Sequence, residues 1–147
     1  MKVFLANNEH LESLAILFDN CRIFYNQTSD IKAARNFLQE RFQNNDSVVF
    51  AVKDNEKIVG FTQLYPSFSS VSMKRVWILN DLYVEESYRR KKVATLLINT
   101  AQEYAKQSGA IRVILATHFS NITAQKLYES QGYIKDKEFY HYALQLQ

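Results

Sequence analysis

The chain opens on a short apolar strand, KVFLA over 2–6, and then changes period. In NNEHLESLAILFDNCRIFY, apolar residues recur at Leu11, Leu14, Ile16, Leu17 and Phe18, the spacing of one helix face, after an asparagine able to cap. SDIKAARNFLQERF repeats the signal: Ser29 or Asp30 caps, and Ile31, Ala34, Phe37, Leu38 and Phe42 line one face. Three stretches of β-branched and aromatic residues follow, SVVFAVK, KIVGFTQLYP and MKRVWILNDLYV, the first two joined by a DNEK turn. They predict three successive antiparallel strands. A helix opening at Arg89 and running through Lys106, closed by Gly109, leads into AIRVILAT (110–117), a continuous apolar run of the kind buried on both faces. NITAQKLYESQG predicts a last helix, capped by Asn121 and ended by Gly132, and YIKDKEFYHYALQL a closing pair of strands. The predicted order is β-α-α-β-β-β-α-β-α-β-β. It describes one α/β domain over 1–147, with a mixed, mostly antiparallel central sheet and helices on both faces.

Composition adds limits. The 147 residues are 47% hydrophobic, with ten Phe, nine Tyr and one Trp, which suffices for a single domain with a substantial core. No apolar run approaches the ~18–20 residues that would span a bilayer, and the start, MKVFLANNEHLESL, lacks the apolar region and small-residue cleavage site of a leader. A soluble, cytoplasmic protein is expected, without a membrane partner. Cys21 is the one cysteine, lies at helical spacing among apolar residues, and reads as core. His10, His118 and His141 are too far apart for metal-ligand spacing, so no metal is expected. A net charge of +3 says little about nucleic acid unless the cations cluster.

They do cluster once. YRRKKVATLL sets Arg89, Arg90, Lys91 and Lys92 in a row at the expected first turn of a helix. That helix end is the positive pole of the macrodipole, where each exposed cation costs roughly 0.3–1 kcal/mol. The run makes sense if an anion comes to it. The strand ILNDLYV, the short loop EESY and the helix that follows form the arrangement in which free backbone N–H groups gather around a phosphate. From the residues alone, a solvated helix start and a nucleic-acid patch remain open as alternatives. On the same strand, simple alternation puts Asp81 on one face with Leu79 and Tyr83, and Asn80 on the other. A carboxylate among apolar neighbours on a central strand is costly unless it has a partner or a task.

These segments together resemble the GCN5-related N-acetyltransferases. YRRKKVATLL is similar to that family's acetyl-CoA signature, with Arg89 to Ala94 in its positions, and NITAQKLYESQGY to its second signature of Asn, Ala, Tyr and a closing Gly-Tyr. The two motifs stand at the family's separation with one apolar strand between them. The resemblance implies the acyl-CoA N-acyltransferase fold and acetyl transfer from acetyl-CoA to an amine. It implies that Leu82, Tyr83 and Val84 at the strand end, Arg89, Arg90, Lys91, Lys92, Val93, Ala94 and Thr95 after it, and Asn121, Ala124 and Tyr128 on the last helix hold acetyl-CoA. Two residues depart from the pattern. Lys92 stands where the family prefers glycine, and a side chain there is expected to hold φ negative. Asn80 replaces the first acid of the Glu-Asp pair that polyamine-acetylating relatives carry.

The implied chemistry is specific. An amine titrating near ~10.4 must lose its proton before attacking a thioester, and Asp81, directly or through water, is the expected acceptor. The main-chain N–H of Val84 or its neighbour is expected to serve the oxyanion. Tyr128 is expected to protonate the leaving thiolate, since a phenol ordinarily titrating near ~10 keeps its proton at neutral pH. Arg22, Phe24, Tyr25, Tyr65, Asp81 and His118 are the candidates for substrate contact. The NDLYV stretch resembles relatives that acetylate polyamines or basic proteins, which points to a small cationic amine or a basic peptide as acceptor. A homodimer is a further expectation, with EFYHYALQL as the segment that pairs. The competing classes are a non-catalytic acyl-CoA sensor and a nucleic-acid-binding module.

Overall fold

Lys2–Leu5 forms β1, the first strand of a five-stranded sheet in the order β1-β2-β3-β4-β5. The structure, a computed structural model, describes residues 1–147 and divides into two compact units, Met1–Leu115 and Ala116–Gln147.

The first unit carries α1 (Leu11–Phe24), α2 (Ile31–Asn44), β2 (Val48–Asp54), β3 (Lys57–Ser69), β4 (Lys74–Val84), α3 (Val93–Gln107) and β5 (Arg112–Ile114). β1 to β4 are antiparallel and β5 joins β4 in parallel. The β2–β3 turn is two residues, Asn55 and Glu56, and Asn55 takes the left-handed conformation (φ +54°) that asparagine tolerates. Alternation along the strands divides the core. On one face Phe50, Val52, Leu64, Trp77, Leu79 and Val84 meet Val93, Leu97, Ala101 and Ala105, which repeat every four residues along α3. On the other, Val49, Ala51 and Phe61 meet Leu11, Leu14, Leu17 and Cys21 of α1 and Leu38 of α2. Helices thus cover both faces of this sheet, and Cys21 is core as expected. Ile16 and Ile31, counted into the apolar faces from spacing, are 53% and 52% exposed.

Asp19 is a buried carboxylate that joins α1 to α2. Its oxygens accept from Ser29 Oγ at 2.6 Å and from the Asp30 N–H at 2.7 Å, and Arg22 lies 3.6 Å away. The Ser29 hydroxyl, ahead of the opposing effect of burial, holds its pKa below the usual range. Asp30 caps α2 by accepting from the Ala33 N–H.

Three features of this unit differ from the sequence expectation. The α3 helix begins at Val93, so Arg89 to Lys92 form the turn before it rather than its first turn. β4 carries a bulge: Gln63 opposes Asp81 and Leu64 opposes Leu79, which leaves Asn80 as the extra residue. The bulge breaks alternation, so Asp81 shares the α1 side with Tyr83, while Leu79 packs on the α3 side. The apolar run 110–117 forms only three residues of strand, because its pairing with β4 stops at Ile78.

The second unit holds α4 (Ile122–Ser130), capped by Asn121, whose Oδ1 accepts from the Ala124 N–H at 3.2 Å, and followed by Gly132 at φ +95°. The two closing strands expected over 133–146 are not formed. A strand needs a neighbour for its N–H and C=O groups, and this segment pairs with none. Local bonds compete instead: Asp136 Oδ1 accepts from the N–H groups of Glu138 and Phe139, and Oδ2 lies 3.0 Å from His141 Nε2. No helix is long and apolar enough to cross a membrane.

Candidate active site

The site begins where β4 loses a neighbour. β5 pairs with Val76 to Ile78 only, so from Leu79 to Val84 the far edge of β4 faces no strand. Which main-chain groups point there follows from register. Glu85 N–H donates to Val59 C=O, so the directly opposed pair Gly60 and Val84 is of the non-hydrogen-bonded kind. The N–H and C=O of Val84, and those of Leu82 two residues earlier, therefore point away from β3 into the unpaired side. Arg89 corroborates this by donating from Nε to the Val84 carbonyl at 2.9 Å.

The turn after β4 is pinned. Tyr88 Oη donates to Asp54 Oδ2 at 3.0 Å, and Lys57 Nζ lies 2.9 Å from Glu85 Oε1. Arg90 and Lys92 both take left-handed backbone, each at φ +63°. The expectation that a side chain at 92 would keep φ negative is thus overturned: the lysine holds the glycine conformation, which a Cβ normally disfavours by roughly 1–2 kcal/mol. The first backbone bond of α3 runs from the Leu96 N–H to the Lys92 carbonyl, which leaves the N–H groups of Val93, Ala94 and Thr95 without an intrahelical acceptor. Arg90, Lys91 and Lys92 are exposed around them. Arg89 is committed elsewhere, with its guanidinium 5.5 Å from the rings of both Phe24 and Tyr83. Gly60 allows α3 to come this close, since a Cβ there would lie 3.1 Å from Val93 Cγ1 and 3.2 Å from the Tyr83 carbonyl oxygen.

On the α1 side of the same strand lies Asp81, half-buried. Its Oδ2 accepts from Gln63 Nε2 at 3.0 Å and from Asn80 Nδ2 at 3.3 Å. Burial raises its pKa, and these two donors offset that only in part. Its charge is felt by three neighbours. Burial first, then Asp81, pushes the Tyr65 phenol up to about 12. Cys21 is raised to about 12 by the same two causes in the same order, and Tyr25 is raised by burial, then Cys21, then Asp81. Tyr25 and Tyr65 thus both feel the Asp81 charge, and Phe24 packs edge-on against Tyr25 and Tyr83. Arg22 does not join them: Nη1 donates to the Thr28 carbonyl at 3.0 Å and pairs with Asp19. Gln63 was missed from the sequence; a lone glutamine inside the apolar run VGFTQLYP was its only signal. A hollow of about 540 Å³ bounded by Asn7, Phe42 and Tyr104 among others contains none of these residues.

His118, Asn121, Ala124 and Tyr128 belong to the second unit. His118 Nδ1 lies 2.7 Å from Ser120 Oγ, Asn121 caps α4, and Tyr128 packs edge-on against Tyr133 at 5.7 Å.

An unpaired strand end with free main-chain groups thus stands beside a helix N-terminus ringed by cations, an arrangement chemically able to hold a phosphate-bearing ligand. The comparisons give the family. The model of the Acetyltransferase (GNAT) family matches residues 11–133, and the chain belongs to that family. It is 44% identical over 144 residues to the "Uncharacterized N-acetyltransferase YhfO" of Bacillus subtilis (strain 168), covering 98% of this chain and 97% of that one. A crystal structure of a probable acetyltransferase, also 44% identical, superposes with a TM-score of 0.95 over 100% of this chain and 99% of the other. The fold is shared as well with AAC(6')-Iy in complex with the bisubstrate analogue CoA-S-monomethyl-acetylneamine, at a TM-score of 0.81 and 20% identity over 99% and 98% of the two chains. The protein is an N-acetyltransferase of the GNAT type.

Proposed function

We propose that this enzyme transfers the acetyl group of acetyl-CoA to a primary amine by direct attack in a ternary complex, with a small cationic amine or a basic peptide as acceptor. The observation that carries the reading is the unpaired end of β4, with the Val84 N–H directed into it and the free N–H groups of Val93, Ala94 and Thr95 following after the turn. These groups fit the two ends of the donor. The α3 terminus and Arg90, Lys91 and Lys92 suit a pyrophosphate, the edge of Leu82 to Val84 suits an amide-bearing arm, and Asn121 and Ala124 are assigned to that arm by their positions in the second motif. Acetyl-CoA supplies the activated acyl group.

The chain's own residues divide the remaining work. The Val84 N–H donates to the oxygen that becomes negative as the amine adds to the carbonyl. Asp81 takes the ammonium proton, directly or through water. A carboxyl whose pKa is raised by burial is the stronger base for this. Tyr128 returns a proton to the departing thiolate. Asp81, whose charge reaches the phenols of Tyr25 and Tyr65, together with Phe24 packed on Tyr25, supplies the anionic and aromatic character that suits an ammonium group. Arg89, turned inward onto Val84, fixes the strand end, and His118 is assigned to the acceptor's far side.

The test is a thiol-release assay with acetyl-CoA against a panel of polyamines, amino acids and basic peptides, beside calorimetric titration with acetyl-CoA. Micromolar binding and turnover of a cationic amine are the expected results. Absence of binding below millimolar concentration would refute the reading.

A further inference from the structure

The first two strands part after Ala6, whose N–H donates to the Val49 carbonyl at 2.8 Å. The chain then turns away through Asn7 into a short 3-10 turn, and a hollow of about 540 Å³ opens between it, the end of α2 and the start of β2. One aromatic ring lines it from each side of the sheet, since Phe42 packs with the α1-side core and Tyr104 with the α3-side core. Edge contacts with Phe50 and Trp77, both at 5.4 Å, hold the Tyr104 ring in place.

The polar lining of this hollow is uncharged. Asn7, Asn8, Gln43 and Asn45 bring four side-chain amides, and Ser47 and Tyr104 two hydroxyls, with no carboxylate, ammonium or guanidinium among the bounding residues. Asn7 Oδ1 accepts from the Glu9 N–H at 2.9 Å; the other five side chains make no hydrogen bond within the chain. A charged group entering here would lose water without gaining a partner. A neutral group with adjacent donors and acceptors would find both in each amide. The volume lies within the ~300–1,000 Å³ of small-molecule sites.

The missing charge stands next door. A second hollow, about 180 Å³, adjoins the first through Asn45, Ser47, Val48 and Tyr104 and is bordered by Arg75. The Arg75 guanidinium lies 4.2 Å from the ring of Phe68 and 5.4 Å from that of Trp77, and it makes no ion pair or hydrogen bond. A planar cation held on aromatic rings with its donors unused is preorganised for a phosphate. Asp46, between Asn45 and Ser47 in sequence, is paired with Arg41 at 3.0 Å and does not compete.

We propose that the joined hollows bind a nucleoside monophosphate, with its base among the amides and rings of the larger one and its phosphate on Arg75. Asparagine and glutamine amides match the donor and acceptor edge of a base, and aromatic rings add stacking that every base can use. The site is separate from the end of β4. Tyr104 stands eleven residues beyond Val93 on α3, about 16 Å, and Trp77 seven residues before Val84 on β4, about 23 Å. Binding here does not depend on acetyl transfer.

The test is a titration of the isotope-labelled chain with AMP, GMP, CMP and UMP, followed by amide NMR, with and without saturating acetyl-CoA. At least one nucleotide is expected to shift the backbone amides of Asn45, Ser47 and Tyr104 saturably below millimolar concentration, and equally in both cases. The matching nucleoside and ribose 5-phosphate should each bind about tenfold more weakly, for loss of the charged hydrogen bonds or of the stacked base. Arg75→Gln should bring the nucleotide to the affinity of the nucleoside and leave nucleoside binding unchanged, which also reports that the variant is folded. Gln43→Ala/Asn45→Gly should weaken both, since glycine keeps the left-handed backbone of Asn45 (φ +51°) and removes only the amide. Shifts that acetyl-CoA abolishes, ribose 5-phosphate binding as tightly as the nucleotide, or undiminished nucleotide binding by Arg75→Gln would each overturn the proposal. No saturable shift with any of the four nucleotides would do so as well.

Discussion

Gln63 and Asp81 stand directly opposite on β3 and β4, joined by a 3.0 Å hydrogen bond from Nε2 to Oδ2. Gln63 is fully buried and its Oε1 has no partner within the chain, so the amide is held for the sake of this carboxylate. A donor of this kind favours the ionised form. Replacing it by Met keeps the volume and removes the donor, so the Asp81 pKa rises further. With Asp81 as base, the acid limb of the kcat/KM profile should move to higher pH. Activity at pH 7 should fall about tenfold, as for the loss of a hydrogen bond to a charged group, and recover as the pH is raised. A uniform loss across the profile would show that Gln63 only packs.

Asp81 itself is expected to trade stability for activity. Its folded pKa is raised, so the folded state binds its proton more tightly than the unfolded chain. The associated stability is complete below the unfolded pKa and is lost as the pH rises through the folded one. At pH 7–8 the ionised carboxylate is therefore a liability. Asp81→Asn should melt higher at pH 7–8, by about 0.5–2 kcal/mol, with the advantage shrinking toward pH 4, while kcat falls about 10²–10⁴-fold. Thermal melts at the two pH values check the first claim, and thiol release the second.

Much of this was legible because it is local. Asp30 and Asn121 as caps, Gly109 and Gly132 past the helix ends, and the turn at Asn55 are decided by a few neighbouring residues. The resemblance marked the strand end and the turn after it by motif. What stayed hidden depends on distant partners. The bulge at Asn80 exists only in register with β3, and it is what moves Asp81 away from the face of Leu79. The extent of β5 and the fate of 133–146 depend on which edge meets which strand, a matter that period-two alternation does not decide. Lys92 was misjudged because local preference, which disfavours φ +63° for a lysine, is overridden by a turn pinned through Tyr88 to Asp54 and by the packing of Val93 on Gly60.

That override is measurable. Lys92→Gly relieves a left-handed Cβ and should stabilise the protein by about 1 kcal/mol, or about 2–4 °C in Tm for a chain of this size. Lys92→Ala keeps the Cβ and should show no such gain. The same pair separates geometry from charge in acetyl-CoA binding. If the ammonium of Lys92 meets a phosphate, both variants should bind more weakly and with a shallower dependence on salt. If only backbone shape matters, Lys92→Gly should bind at least as well as the native chain.

The approach of α3 to the sheet offers the sharpest test of how the fold sets the site. Gly60 has Val93 Cγ1 and the Tyr83 carbonyl at 3.1 and 3.2 Å from the place a Cβ would occupy. The carbonyl belongs to β4 and cannot retreat without disturbing the sheet, so Gly60→Ala must push Val93 and with it the first turn of α3. Overpacking of this kind costs about 1–3 kcal/mol. It should also weaken acetyl-CoA binding, because Val93, Ala94 and Thr95 carry the free N–H groups. Shrinking the other partner makes room: in Gly60→Ala/Val93→Ala the helix can return, so affinity should recover more fully than stability, which still lacks the buried valine. Calorimetric titration and denaturant melts on the four members of this cycle give the coupling directly. Additive losses in affinity would mean that the position of α3 is not what prepares the helix N-terminus for its ligand.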